Sequence, residues 1–145
     1  MRYLIVILGF LLAACSQTEE INPDNTSTAT KKEDFLSDFS DQKLLFEGKF
    51  QSSGNYKAGG DAKIYEAKDG KKTLVLVDFE VSNGPDLKVY LANDKATTNF
   101  VEISNNVKNG NIAYVLPQNV DLGKQKFVLI WCKRFSALFG FVELK

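Results

Sequence analysis

Apolar and polar positions along the 145-residue chain fall into three successive patterns. Residues 4–12 are apolar apart from Gly9, residues 16–32 carry almost no apolar side chain, and from residue 44 onward short apolar or alternating runs are separated by turn residues. The first run is much shorter than the roughly 20 residues a membrane-spanning helix needs, so it reads as the hydrophobic part of a signal peptide. The second has too little apolar surface to form a core and reads as a flexible tether. The third has period-two alternation and no long stretch of helical periodicity, which predicts an all-β domain.

Within that domain, residues 44–50 and 62–67 read as strands, with Ser52-Ser53-Gly54 and Gly59-Gly60 as loop between them. Asp69-Gly70 between two apolar runs is a tight hairpin signal and should pair residues 62–67 with 73–81. Strict alternation then puts Thr73, Val75, Val77, Phe79 and Val81 on a core face. Leu74, Leu76, Asp78 and Glu80 share the other face, which begins apolar and ends charged. Asn83-Gly84-Pro85-Asp86 reads as a turn before a strand with Leu87, Val89 and Leu91 inward and Lys88 and Tyr90 opposite. Residues 101–103 and 112–116 flank a second Asn-Gly, at Asn109-Gly110.

Residues 127–132 are apolar at every position, which predicts a strand buried on both sides. Phe127, Leu129 and Trp131 fall on one face, and Val128, Ile130 and Cys132 on the other. Phe135, Leu138 and Phe139 precede Gly140 and a last strand over 141–144. About eight mostly antiparallel strands with turns between them fit a β-sandwich or a closed barrel. Ahead of the domain, Phe35, Leu36 and Phe39 among acids and serines predict a short helical turn docking on it. The expected layout is a signal peptide over 1–14, a lipidated cysteine and tether over 15–43, and one β domain over 44–145.

The leader has one positive charge at Arg2 and ends Leu12-Ala13-Ala14-Cys15. A bulky apolar residue, two small ones and a cysteine form a lipobox, so Cys15 is expected to be acylated, palmitate-fashion, and to become the first residue after cleavage. Two or three acyl chains, at about 0.8 kcal/mol per buried methylene, hold a protein on a membrane without a second signal. Ser16 after the cysteine favours the outer membrane of a bacterial cell envelope, and Glu19-Glu20 resembles the acidic tether of surface-exported lipoproteins. The periplasmic and surface faces both stay open.

Charge and composition remove several function classes. Lys plus Arg equals Asp plus Glu at 18 each, which is no nucleic-acid footprint. The chain has no histidine, its one methionine is the initiator, and of its two cysteines only Cys132 lies in the domain. Haem held by His or Met, blue copper, iron–sulfur clusters and the usual zinc sites all lack ligands here, so no metal and no cofactor is expected. Histidine-dependent triads are excluded for the same reason. A glycosidase-like pair from Asp78 and Asp86 is less economical than a strand carboxylate and a turn carboxylate, so no enzymatic activity is expected.

Two stretches carry a family resemblance: Asp78-Phe79 with Asn83-Gly84-Pro85-Asp86-Leu87-Lys88-Val89-Tyr90-Leu91, and Ile130-Trp131-Cys132-Lys133-Arg134-Phe135-Ser136-Ala137-Leu138-Phe139-Gly140. In order and spacing they resemble the DM-thirteen domain family, described as an electron-transfer domain. The resemblance implies an all-β domain akin to sandwich domains that bind haem or sugars, with Cys132 inheriting a proposed redox role. Members usually carry a histidine in the loop after the first strand, and residues 50–60 have none.

Two functions follow as expectations. In the first, the chain is a thiol-based redox or electron-transfer accessory with Cys132 as the reactive group. In the second, it is a non-catalytic envelope module that recognises a glycan or protein partner through its loops. Candidate contacts for the second are Tyr56, Tyr65, Tyr90 and Tyr114, with Lys124, Lys126, Lys133 and Arg134 as a basic group. Val128 and Ile130 share the face of Cys132, and residues 135–139 offer further apolar cover, so a buried and slowly reacting thiol is expected. Arg134 would pull the other way if the strand continued.

Overall fold

The computed structural model describes residues 31–145. The expected signal peptide, Cys15, Ser16 and the Glu19-Glu20 pair lie outside the described residues. Nine strands follow a helical segment over residues 31–37: β1 (Lys43–Lys49), β2 (Gln51–Ser52), β3 (Ala58–Glu66), β4 (Lys72–Val81), β5 (Leu87–Ala92), β6 (Val101–Ser104), β7 (Gly110–Val115), β8 (Phe127–Cys132) and β9 (Ala137–Glu143). They form two antiparallel sheets, one in the order β1-β3-β4-β7 and the other β2-β9-β8-β5-β6. The fold is thus a β-sandwich, and the barrel alternative falls because the two hydrogen-bonded ladders stay separate.

The sheets meet through the faces that alternation assigns inward. Ala62, Ile64, Leu74, Leu76 and Phe79 come from the first sheet, and Val89, Leu91, Val128, Ile130, Cys132 and Val142 from the second. One side of the sandwich is drawn together by backbone. Residue 50 carries the chain from the first sheet to the second, its amide bonded to the Gly60 carbonyl at 2.9 Å. Glu47 and Lys145 exchange amide-to-carbonyl bonds of 3.1 and 3.0 Å.

The hairpin signal at Asp69-Gly70 holds: β3 pairs with β4, and Gly70 takes a positive φ of 82°. The Asp69 carboxylate accepts the Lys71 amide at 3.0 Å, which ties the turn locally. Asn109-Gly110 instead joins strands of different sheets, since β6 lies in the second and β7 in the first. Gly59-Gly60, expected as loop, lies inside β3.

Strict alternation also fails along β4, and one residue is the reason. Asp78 has a φ of 48°, and the register shifts there against both neighbouring strands. This is a β-bulge, and it exchanges the two faces of everything after it. Leu74 and Leu76 point into the sandwich before the bulge, and Phe79 does so after it. Thr73, Val75 and Val77, expected in the core with Phe79, lie on the outer face instead; Val75 and Val77 form a separate cluster there with Phe39.

Aspartate is among the few non-glycine residues that tolerate the left-handed region. The Asn111 side chain accepts its amide at 2.8 Å, and Asn109 accepts that of Val81 at 3.1 Å. Gly60 faces the bulge at φ +99°, where a Cβ would stand 2.7 Å from the carbonyl oxygens of Val77 and Asp78. Only glycine fits there.

The helical segment covers that outer face. Phe35 and Leu36 pack on Val75, Val77 and Phe39, and the Phe39 ring stacks on Tyr65 with centroids 5.3 Å apart. Lys32 reaches the Asp78 carboxylate at 2.7 Å. On the far side of the molecule, Tyr90, Ala92, Leu129, Phe127, Trp131, Leu138 and Phe141 form a third cluster on the outer face of the second sheet. The prediction that β8 is apolar on both sides is met by these two settings, core on one face and aromatic surface cluster on the other.

Candidate functional site around Cys132

Cys132 is the last residue of β8, paired in register with Leu87 of β5 and Ala137 of β9. Its side chain is fully buried in the core between the sheets. The strand ends at Cys132 and the chain turns over residues 133–136, with Ser136 at a φ of 48°. Arg134 is therefore an exposed turn residue and does not share the face of the thiol. Phe135, expected to cover the cysteine, is 55% exposed, whereas Phe139 is wholly buried in the same core.

The two stretches singled out in the sequence fold against each other here. The Lys133 amide donates to the Asp86 carbonyl at 2.9 Å, which ties the turn after β8 to the turn before β5. The Asp86 carboxylate pairs with Lys88 at 2.9 Å. That hydrogen bond holds the Asp86 carboxyl below its ordinary value, helped by the nearby charges of Lys133 and Arg134, and the same bond to Asp86 raises Lys88. Gly84 lies so close to Leu87 and Phe139 that a Cβ would come within 2.7 Å of the Leu87 Cδ2. Pro85 follows it, exposed, at the tip of the turn.

Gly140 pairs with Ile130, and a Cβ there would overlap that of Ala58 at the start of β3. Tyr56 stacks face to face on Phe139 at 3.6 Å between centroids. A polar cleft of about 290 Å³ lies beside this end, lined among others by Asn83, Asp86, Asn105 and Asn106.

Other candidates lie elsewhere. Trp131 points away from Cys132, into the outer aromatic cluster. Asp78 is on the bulge of the first sheet, paired with Lys32, and Asp86 is in the turn before β5 of the second, so the two carboxylates answer to different lysines in different settings. The four tyrosines are all engaged: Tyr56 on Phe139, Tyr65 on Phe39, Tyr90 on Phe100 at 4.4 Å, and the Tyr114 hydroxyl donating to the Asn106 carbonyl at 2.9 Å.

The basic group does not form one patch. Lys126 precedes β8 and sits over the Phe46 ring at 5.1 Å, Lys124 pairs loosely with Asp121 at 3.6 Å, and Lys133 and Arg134 follow the far end of β8. A six-residue strand is about 20 Å long, so the two halves are well separated. Among the described residues no three His, Cys, Asp or Glu side chains come together as a metal site would require.

What joins these pieces is a single arrangement in which the Gly-Pro-Asp turn, the Trp-Cys strand end and Phe139-Gly140 pack as one unit. A family model, electron transfer DM13, matches residues 45–144, which takes in both stretches and nearly all of the nine strands. The chain belongs to the electron transfer DM13 family. Neither the curated proteins nor the solved structures contain a match to it.

The DM13 domain as matched begins just inside β1, so the helical segment and its docking on Val75 and Val77 are additions to it. Tyr56, a candidate contact from the sequence, reaches the motif end by stacking on Phe139, whereas sequence reasoning missed the Asn105-Asn106 pair, which arrives there only through the fold. The close approaches at Gly84 and Gly140 were legible only as the presence of glycine in the two stretches.

Chemically, a thiol closed to solvent cannot meet a disulfide or an oxidant, since exchange needs both a thiolate and access. The Cys132 side chain is packed in the core of this unit. The surface of the unit offers turns, an amide-lined cleft and the exposed Phe135.

Proposed function

We propose that this chain is a lipid-anchored, non-catalytic module of the bacterial cell envelope whose DM13 domain serves electron transfer by docking another component, with Cys132 as a core residue. The observation that carries this reading is the complete burial of Cys132 among Val128, Ile130 and Phe139. Anchoring rests on the lipobox ending at Cys15, and Ser16 favours the outer membrane. A glycan or an envelope protein is the partner class that a turn-rich, amide-lined end suits.

The test is thiol titration of the full chain in mild detergent with a chromogenic disulfide reagent near neutral pH. Cys132 is expected to react slowly in the native protein and fast in denaturant. The anchor is tested in parallel: Cys15→Ala should abolish detergent-phase partitioning and processing at that site, and an unmodified Cys15 in the mature wild type would sink this part of the reading.

A thiol-based redox role is the second reading, favoured by the convergence of both motif stretches on Cys132. In it the Cys132 thiol loses its proton to solvent and attacks a partner disulfide. The partner's S–S bond breaks, a mixed disulfide forms, and a partner thiolate leaves. That requires the 133–136 turn to lift. Rapid reaction of the native wild type with the same reagent would make this reading the leading one.

A further inference from the structure

The four sheet edges are not protected alike. A bare edge strand is a template for another strand, and natural proteins guard edges with charges, proline, bulges, short length or a covering segment. At the outer edge of β1 the Glu47 amide and carbonyl are bonded to Lys145. β2 is two residues long, and β6 is four residues long with Glu102 in it. β7 has no such guard: it is six residues long, reads Gly-Asn-Ile-Ala-Tyr-Val, and no charge occurs from Asn109 to Pro117.

The hydrogen-bond phase of β7 can be read from its end. The Leu116 amide donates to the Lys72 carbonyl at 2.9 Å, so by the antiparallel alternation Tyr114 and Ile112 also turn their backbone groups toward β4. The amides and carbonyls of Ala113 and Val115 then face the open side. The side chains agree, with Ala113 exposed and Val115 57% exposed, while Ile112 and Tyr114 pack on the core.

We propose that β7 is an interface with a second copy of this chain, the two β7 strands pairing antiparallel about a two-fold axis through Ala113 so that the four-stranded sheets become one of eight strands. The strand is its own complement in that register. Ala113 meets Ala113 on the axis, small against small, Val115 faces Asn111, and the half-buried Ile112 faces Tyr114, an aliphatic–aromatic pair of the kind that stabilises cross-strand contacts. No like charges meet, since the strand has none. A foreign strand would have to bring the same pattern, which β7 already supplies.

The test uses the full chain as cells make it, extracted in mild detergent, with its association measured by analytical ultracentrifugation. A dimer in reversible equilibrium with monomer is expected. Val115→Lys, which changes an exposed side chain and places charge on the edge, should weaken association at least roughly ten-fold with an unchanged circular dichroism spectrum. Val115→Thr should retain it. Paired residues of this kind have Cα atoms about 5.5 Å apart, within disulfide reach. Ala113→Cys should therefore give a disulfide-linked dimer on mild oxidation, whereas Phe135→Cys, also at an exposed position but at the motif end, should not. A chain that stays monomeric at every concentration, a dimer indifferent to Val115→Lys, or an Ala113→Cys variant that links in membranes to another protein and not to itself would each overturn the proposal.

Discussion

Both sheets carry apolar side chains on their outer faces, yet they cover them differently. On the first sheet, Val75, Val77 and Tyr65 lie under Phe35, Leu36 and Phe39, contributed by a segment that precedes the domain. On the second, Tyr90, Ala92 and Leu129 are closed in by neighbours within the same sheet, Phe127 and Trp131 of β8 and Leu138 and Phe141 of β9. Phe100 stacks on Tyr90 there, and the Lys95 ammonium sits 4.5 Å from the Phe141 centroid.

The first cover is a separable piece held by a few aromatic contacts and one ion pair. The second is inseparable from the sheet, because removing it means unpairing β8, β9 and β5. Elements with few buried contacts open at lower free energy than the core. The two faces should therefore differ in how a single truncation is felt: globally on the second sheet, locally on the first.

The largest effect is expected at Leu129, fully buried beneath the aromatic cluster. Leu129→Ala removes buried methyl groups where interlocked strands leave little room to collapse, and should cost about 3 kcal/mol. Urea unfolding should show a lower midpoint with the same slope. A loss below about 1 kcal/mol, in the range of surface changes, would mean that this face too is a detachable cover.

Cys132, three residues on and facing inward, sharpens the point from the other side of the same strand. Cys132→Ser places a hydroxyl among Val128, Ile130 and Phe139 and should cost about 1–3 kcal/mol. Equal stability of the two proteins would show that water already reaches this position.

Phe39→Ala tests the separable cover. A fully buried phenylalanine would cost about 3–5 kcal/mol. Here the segment can lift off instead, which limits the loss to its docking free energy, about 1–2 kcal/mol on the usual scale of single substitutions. Hydrogen exchange should speed up in residues 31–42 and at the outer edge of the cluster, while the amides of β4 that pair with β3 and β7 stay protected. Loss of protection throughout β4 would erase the distinction between the two faces.

The same contrast explains what the sequence made legible. Strand β8 could be read on both faces because every position is apolar and nothing interrupts the period, and β5 because a turn signal fixes its start. The Asp69-Gly70 hairpin was readable because turn chemistry is local. The face exchange in β4 was not, since period-two reasoning assumes a regular strand and one residue in the left-handed region resets it. Its only traces are an aspartate within an apolar run and two consecutive glycines on the partner strand.

The candidate site was legible in part. Motif spacing brought Gly84, Asp86, Cys132 and Gly140 to attention, but their convergence depends on pairings between strands distant in sequence. The apolar run marks the end of β8 at Cys132 correctly, but it does not show that Phe135, in the turn that follows, faces solvent while Phe139 supplies the cover.

The smallest expected effect concerns what holds the helical segment down. Lys32 and Asp78 form an ion pair 2.7 Å long, with 36% and 43% of their side chains exposed, so water and salt screen it and its contribution should be under about 1 kcal/mol. If apolar packing holds the segment, Lys32→Met should leave stability and the exchange of residues 31–42 nearly unchanged. The pH dependence has a definite sign. The hydrogen bond to Asp78 raises the Lys32 pKa, so whatever the pair contributes is fully present below the unfolded lysine value and is lost as pH rises through the higher folded one. That window lies above about pH 10, leaving the contribution of Lys32 flat through neutral pH. Exchange rates in the segment that are insensitive to salt at neutral pH, and that match in wild type and Lys32→Met, are the expected outcome. A clear speeding of exchange in Lys32→Met, reproduced by salt in the wild type, would show instead that the segment is latched electrostatically at the bulge, and would make Asp78 the hinge on which the difference between the two faces turns.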